Sequence, residues 1–284
     1  MWPLDPPSRT GEETYAICIS LVRQFGEEKR KTKLINAIEK VKESSQKFRD
    51  STFSGNLHDL QSSDFQISEV DGKDAVRWLY VNGMVRKGGP CRIIYDELMA
   101  KPTDERCPLC GHGVVRQLDH VMPKSKFPTL CVDPLNLVPA CGDCNTVKGD
   151  YEATCAEDTL LHPYVDRIDS ERWLQARVIH EEIARLEFFT LAPAGWDDLL
   201  ASRVHHHFEL LKLGSLYAVQ ANRTLANIRQ ILTAQFRAGG ETMVRDYLAS
   251  EAHTRLAVQR NGWEGVTYHA LASDEAFVRG AFLD

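Results

Sequence analysis

Residues 107–150 read CPLCGHGVVRQLDHVMPKSKFPTLCVDPLNLVPACGDCNTVKGD, and this stretch decides what the rest of the chain must accommodate. Cys107 and Cys110 form one Cys-x₂-Cys pair, Cys141 and Cys144 a second, and 30 residues separate the two. Each pair can make a tight turn that offers two thiolates to one ion, and two such turns close a tetrahedral shell with no open position, which is the pattern of a structural zinc. The segment is full of Pro, Gly, Cys and Asn with only brief apolar runs, so a metal would contribute folding energy directly. The other four cysteines, at 18, 91, 131 and 155, are scattered singly, which is metal-site arithmetic rather than a disulfide framework. Cys131 is expected to be a buried free thiol.

Between the pairs, Val114–Leu118 predicts a short strand that delivers Asp119 and His120 at its end. Adjacent side chains diverge there, so the carboxylate can hold a hard cation while the imidazole reaches the other side of a scissile phosphate. Pro139 predicts a turn, and the helix that begins near Cys141 carries Asn145 and Lys148 on neighbouring faces of one turn.

The segment resembles the HNH nucleases, the ββα-metal family, in the subgroup stapled by a four-cysteine zinc. The resemblance rests on Asp119-His120-x-x-Pro123, on Asn136-Leu137, and on Cys141-x-x-Cys144-Asn145-x-x-Lys148-Gly149, and it covers about 50 residues of 284. It implies that His120 is the general base, that Asp119 and Asn145 are the protein ligands of a catalytic Mg²⁺ or Mn²⁺, and that Asn136 fixes the loop that aims His120. Many members carry a third histidine where this chain has Asn145, a variant the family also uses. The implied reaction is in-line hydrolysis of a DNA phosphodiester to 5′-phosphate and 3′-hydroxyl ends, with Lys148, Lys124 and Lys126 contacting flanking phosphates. For Lys148 a local pairing with an acid such as Asp150 stays open.

Working outward, residues 12–49 read as helix, with apolar positions at Ile17, Leu21, Val22 and Phe25 and then at Leu34, Ile38 and Val41. The run from Glu27 to Arg49 carries eight basic against four acidic side chains, either a solvated face or a phosphate-binding one. Residues 50–70 predict a connector with room for a short strand. Helices are expected at Gly72–Val85 and Cys91–Met99, separated by Gly88-Gly89-Pro90. From Glu171 onward the pattern is helical again, over Asp197–Leu213, Tyr217–Phe236 and Met243–Val258, with Gly239-Gly240 as a break. His205–His207 point in three directions on a helix and do not converge on a metal.

The expected architecture is therefore mainly α with a small α+β insert: N-terminal helices over 1–101, the ββα-metal module with its zinc over 102–155, and a C-terminal helical domain over 156–284 suited to docking a partner. Net charge is −6, and residues 1–150 balance to zero while 151–284 carry the whole deficit. Neither half is strongly basic, so nucleic acid must be held by a local patch, a metal or a partner. The opening MWPLDPPSRTGEE lacks the features of a signal peptide and no stretch approaches a membrane span, so a soluble, cytoplasmic protein is expected. No Gly-Lys-Ser/Thr phosphate loop occurs. The flanks, with His162-Pro163-Tyr164, the helices from Trp196 to Phe236 and the ending Trp263–Phe282, resemble those of HNH proteins that travel with an ATPase in bacterial anti-phage defence, which implies an ATPase or other protein partner, while a freestanding nuclease or restriction-like enzyme stays open. Two other functions remain open at this level: a non-catalytic zinc module that binds nucleic acid or protein, and the same chemistry directed at RNA.

Overall fold

The computed structural model describes residues 2–22, 28–68, 72–102, 104–181 and 184–283. The expected helical position Phe25 lies outside them. The chain divides into two compact units, Met1–Arg167 and Ile168–Asp284. The first therefore holds both the N-terminal helices and the two-cysteine-pair segment, together with the run up to Arg167.

In the first unit, α1 (Gly11–Leu21) opens on a capping box: Glu13 N–H donates to Thr10 Oγ1 at 3.1 Å and Thr10 N–H to Glu13 Oε2 at 2.9 Å. α2 (Glu28–Asn36) and α3 (Ile38–Ser54) follow. α3 turns Val41, Ser44, Ser45, Phe48 and Thr52 inward, one stripe at helical spacing. No strand forms between residues 55 and 68. Two single 3₁₀ turns, Leu57–Asp59 and Ser62–Phe65, occupy that connector instead, and Phe65 is buried edge-on against Phe127 with ring centroids 5.1 Å apart. α4 (Lys73–Trp78) continues through wider π-type turns to Val85, and α5 (Arg92–Met99) starts just after Cys91.

β1 (Gln117–His120) pairs antiparallel with β2 (Leu137–Ala140), with Asp119 opposite Val138 and His120 opposite Leu137. α6 (Gly142–Lys148) follows directly. Two sequence expectations are corrected here. The strand that delivers Asp119 and His120 starts at Gln117 rather than Val114 and takes in both residues as its last two, because Val114 bridges Arg106 and Val115 N–H bonds Glu105 O, which commits that stretch to the cysteine turn. Pro139 sits inside β2 instead of a turn; in a two-stranded sheet every strand is an edge, so its missing N–H leaves no ladder bond unmade. Two apolar clusters flank the sheet. One gathers α1, α4 and α5 residues with Leu118, Cys131 and Leu137, and the other joins Phe48, Phe65, Phe127, Leu130, Val138 and Tyr164.

The second unit is not purely helical. β3 (Leu174–Ile179) and β4 (Arg185–Thr190) form an antiparallel hairpin with Leu174 opposite Thr190. The hairpin replaces the helix expected there: Gln, Arg and Glu dilute its sequence pattern, although burial of Leu174 and Val178, and of Leu186 and Phe188, keeps the even spacing of a strand face. α7 (Asp198–Leu210), α8 (Leu213–Val258) and α9 (Trp263–Ser273) complete the unit, and α8 is broken at Gly239-Gly240, where the backbone leaves helical angles. His205, His206 and His207 are exposed, half-buried and buried respectively, and do not converge. Among the described residues no helix is long and apolar enough to cross a membrane.

Candidate functional site

The two Cys-x₂-Cys turns meet. Cys107, Cys110, Cys141 and Cys144 are all buried, and their sulfurs lie within 4.8 Å of one another. Cys110 Sγ and Cys141 Sγ are 3.9 Å apart, close to the edge of about 3.8 Å that a tetrahedron with Zn–S bonds of about 2.3 Å requires. Backbone amides support the sulfurs: Gly113 N–H donates to Cys110 Sγ at 3.3 Å, and Cys144 N–H to Cys141 Sγ at 3.4 Å. Gly113 is required by space, since a Cβ there would lie 2.7 Å from both Cβ and Sγ of Cys141. Hydrogen bonding among the thiols, with Cys107 first, holds Cys110 below the ordinary thiol range and brings Cys141 down to about 7. The same hydrogen bonds raise Cys107 and Cys144, and the four buried, crowded sulfurs together form a site that could hold a metal ion such as zinc. Cys131 stands apart as a buried free thiol, pushed up to about 12 by burial.

This cluster anchors α6 at its first turn, with Cys141 as the cap, and so aims Asn145 and Lys148 at β1. Gly149, at φ +51°, ends the helix where a side chain would strain the backbone. Asp119, His120, Lys124 and Asn145 line one cleft of about 360 Å³, with Tyr80 and Asp150 also on its wall. His120 is buried; its Nε2 lies 3.0 Å from the carbonyl of Cys131, and a carbonyl can only accept, so Nε2 carries the proton and Nδ1 the lone pair. Tyr80 packs edge-on against the imidazole with centroids 4.6 Å apart. Burial pushes the imidazole down to about 3, so it is neutral near pH 7.

Asn136 is fully buried and ties the loop after β1: its Oδ1 accepts from Met122 N–H at 2.7 Å, and its Nδ2 donates to Met122 O at 3.1 Å and Leu130 O at 3.2 Å. Lys148 does not reach outward. Its Nζ, also buried, donates to His120 O at 2.6 Å and lies 3.3 Å from Asp119 Oδ2. The partner expected for a local pairing, Asp150, is instead taken by Ser125 Oγ at 2.8 Å. Burial raises the carboxyl of Asp119, and Lys148 opposes that shift. Lys126 is paired with Glu152 at 2.9 Å, whereas Lys124 is exposed at the rim with its Nζ 5.2 Å over the Tyr80 ring.

Tyr80 and the run His162-Pro163-Tyr164 are supports whose roles the sequence did not reveal. His162 Nε2 bonds Leu135 O at 3.1 Å, and Tyr164 Oη donates to Leu137 O at 2.9 Å, so the run buttresses β2. Tyr80 carries no local signal, because only the fold brings its helix to β1. In the basic N-terminal run, Arg30 lies over Trp78, Lys31 donates to Val22 O, and Lys47 pairs with Asp64, so several charges are committed within the unit.

The fold and the site define a mainly helical protein with a four-cysteine cluster that could hold a metal ion, next to a buried Asp-His-Lys cluster beside a cleft. The chain is 32% identical over 216 residues to Protein ea31 of Escherichia phage lambda, an alignment spanning 71% of this chain and 73% of that protein, and it belongs to the ea31 family. No family model and no solved structure matches it.

Proposed function

We propose that the chain is an HNH-type, metal-dependent DNA endonuclease whose ββα-metal module comprises β1, β2 and α6 with a structural zinc on the four cysteines. The observation that carries this reading is the single cleft shared by Asp119, His120 and Asn145, with His120 in the tautomer that leaves Nδ1 able to accept a proton. A neutral, oriented imidazole can take the proton of an attacking water as it approaches phosphorus, and a pKa far below 7 keeps it unprotonated beforehand. Asp119 and Asn145 offer a carboxylate and an amide oxygen, a hard donor set suited to Mg²⁺ or Mn²⁺. When bound there, such an ion supplies neutralisation of charge on the phosphoryl and leaving 3′ oxygens. Asn136 holds the 121–136 loop so that the carbonyl of Cys131 stays under the imidazole.

The test is incubation of the purified chain with supercoiled, linear and single-stranded DNA in Mg²⁺ or Mn²⁺, with end-group analysis of products. Cleavage to 5′-phosphate and 3′-hydroxyl ends, lost on chelation and in D119N, is the expected result. DNA left intact under all metals, with RNA cut instead, would redirect the substrate; neither being cut would leave a binding module.

A further inference from the structure

Lys148 occupies an unusual place for a residue expected to grip phosphate. Its ammonium is 3.4 Å and 3.3 Å from the two oxygens of Asp119, the pair is almost wholly buried, and the backbone carbonyl of His120 holds it in register at 2.6 Å. Both carboxylate oxygens are therefore already facing a positive charge that water does not screen. An ion using Asp119 as its ligand brings a second positive charge to the same buried carboxylate, and like charges at that separation in a poorly solvated site disfavour one another strongly. We propose that Lys148 is a built-in competitor for the divalent ion: it holds Asp119 until a phosphate-bearing substrate offers its ammonium another anion, so that metal and substrate load together. This rests on the nuclease reading above and adds to it the order in which the site fills.

Lysine suits this task. Its charge sits on a flexible stem with freely rotating bonds, and Lys148 is the last residue of α6, immediately before Gly149 turns the chain away. Asp119, with which the Lys148 ammonium is paired, lines the cleft, and Lys124 stands exposed at its rim, so a phosphate seated against Asp119 brings an anion close to both cations. By reciprocity, whatever factor a phosphate contributes to metal affinity, the metal contributes to phosphate affinity.

The experiment measures Mn²⁺ binding to the zinc-loaded full chain by paramagnetic resonance of free Mn²⁺, with a short DNA duplex present or absent, in an H120A background that prevents cleavage. K148M should bind Mn²⁺ about 5- to 100-fold more tightly than the chain with Lys148 when DNA is absent, the usual range of coupling between sites. DNA should tighten Mn²⁺ binding to the chain with Lys148 and do so far less in K148M. K148Q, which keeps a donor for His120 O, gives the same reading should K148M fold poorly by circular dichroism and zinc content. Equal or weaker Mn²⁺ binding in the Lys148 variants, with binding still abolished by D119N, overturns the competition and leaves the nuclease reading standing. Absence of any Asp119-dependent Mn²⁺ binding in all proteins, with or without DNA, overturns both.

Discussion

His120 donates its Nε2 proton to the backbone carbonyl of Cys131, 3.0 Å away and 11 residues further along the chain. That bond, with Tyr80 against the ring face, sets both the tautomer and the direction of the imidazole before any substrate arrives. Replacement of His120 by Ala should lower DNA cleavage by roughly 10²–10⁴-fold, the usual worth of general-base assistance, while zinc content and far-ultraviolet dichroism stay unchanged. Cleavage at the native rate by folded H120A would remove the base assignment.

The cysteine cluster supports α6, and α6 in turn positions Asn145 and Lys148. Replacing Cys107 or Cys144 with Ser should therefore abolish zinc retention and unfold the 102–150 segment, since ligand loss removes folding energy rather than one contact. Native protein should contain one zinc per chain by elemental analysis. Activity together with full thermal stability in zinc-free C107S would show that the cluster is not structural.

Asn136 makes three buried hydrogen bonds to backbone groups of Met122 and Leu130. N136A strands those groups away from water, and a cost on the order of 3 kcal/mol is expected in urea unfolding. Cleavage should fall as well, because the same bonds hold the loop that carries Cys131. A variant as stable as the native chain would mean that water replaces the amide without loss.

Asp133 accepts hydrogen bonds from Ser45 Oγ at 2.6 Å and Leu135 N–H at 3.0 Å, yet burial pushes its carboxyl up to about 6. Its folded value lies above the ordinary carboxylate value of roughly 3.9, so the stability it contributes is full below about pH 4 and is lost as pH rises through 6. The loss is roughly 3 kcal/mol, from a shift of about two pKa units. Urea unfolding of native protein and D133N from pH 4 to 7 should show the difference between them changing in that direction; parallel pH profiles would refute it.

Lys124 and Lys126 stand two residues apart with different prospects. Lys126 is already paired with Glu152, while Lys124 stands exposed at the cleft rim. K124A should weaken DNA binding and reduce the salt slope by about 0.9, the share of one neutralised phosphate, whereas K126A should change both less. Binding assays across a salt series distinguish the two, and equal effects would contradict the pairing.

The four-cysteine cluster was the most legible feature, because spacing within a Cys-x₂-Cys turn is a covalent property that presents two sulfurs together, and two such turns invite one shared ion. Most helices were equally plain, since α3, α5 and α7 carry an inward stripe at helical period. The hairpin β3–β4 was not, because short strands with charged outward faces resemble a diluted helix pattern. The start of β1 at Gln117 rather than Val114 was hidden for another reason: strand ends are set by which partner the backbone bonds, and Val114 bonds Arg106 rather than β2.

What the sequence alone determined is the inventory: the four thiols, Asp119-His120, Asn136, Asn145 and three lysines, each a residue type whose chemistry is independent of where it sits. Only the tertiary structure decided what those groups do to one another. Burial makes His120 neutral, an acceptor carbonyl from a different loop chooses its tautomer, and enclosure beside Asp119 turns Lys148 from a free surface cation into a counterion. Solvation and charge pairing are set by three-dimensional neighbours, and residues such as Tyr80 and Tyr164, distant in sequence from the module they support, reach it only when the chain is folded.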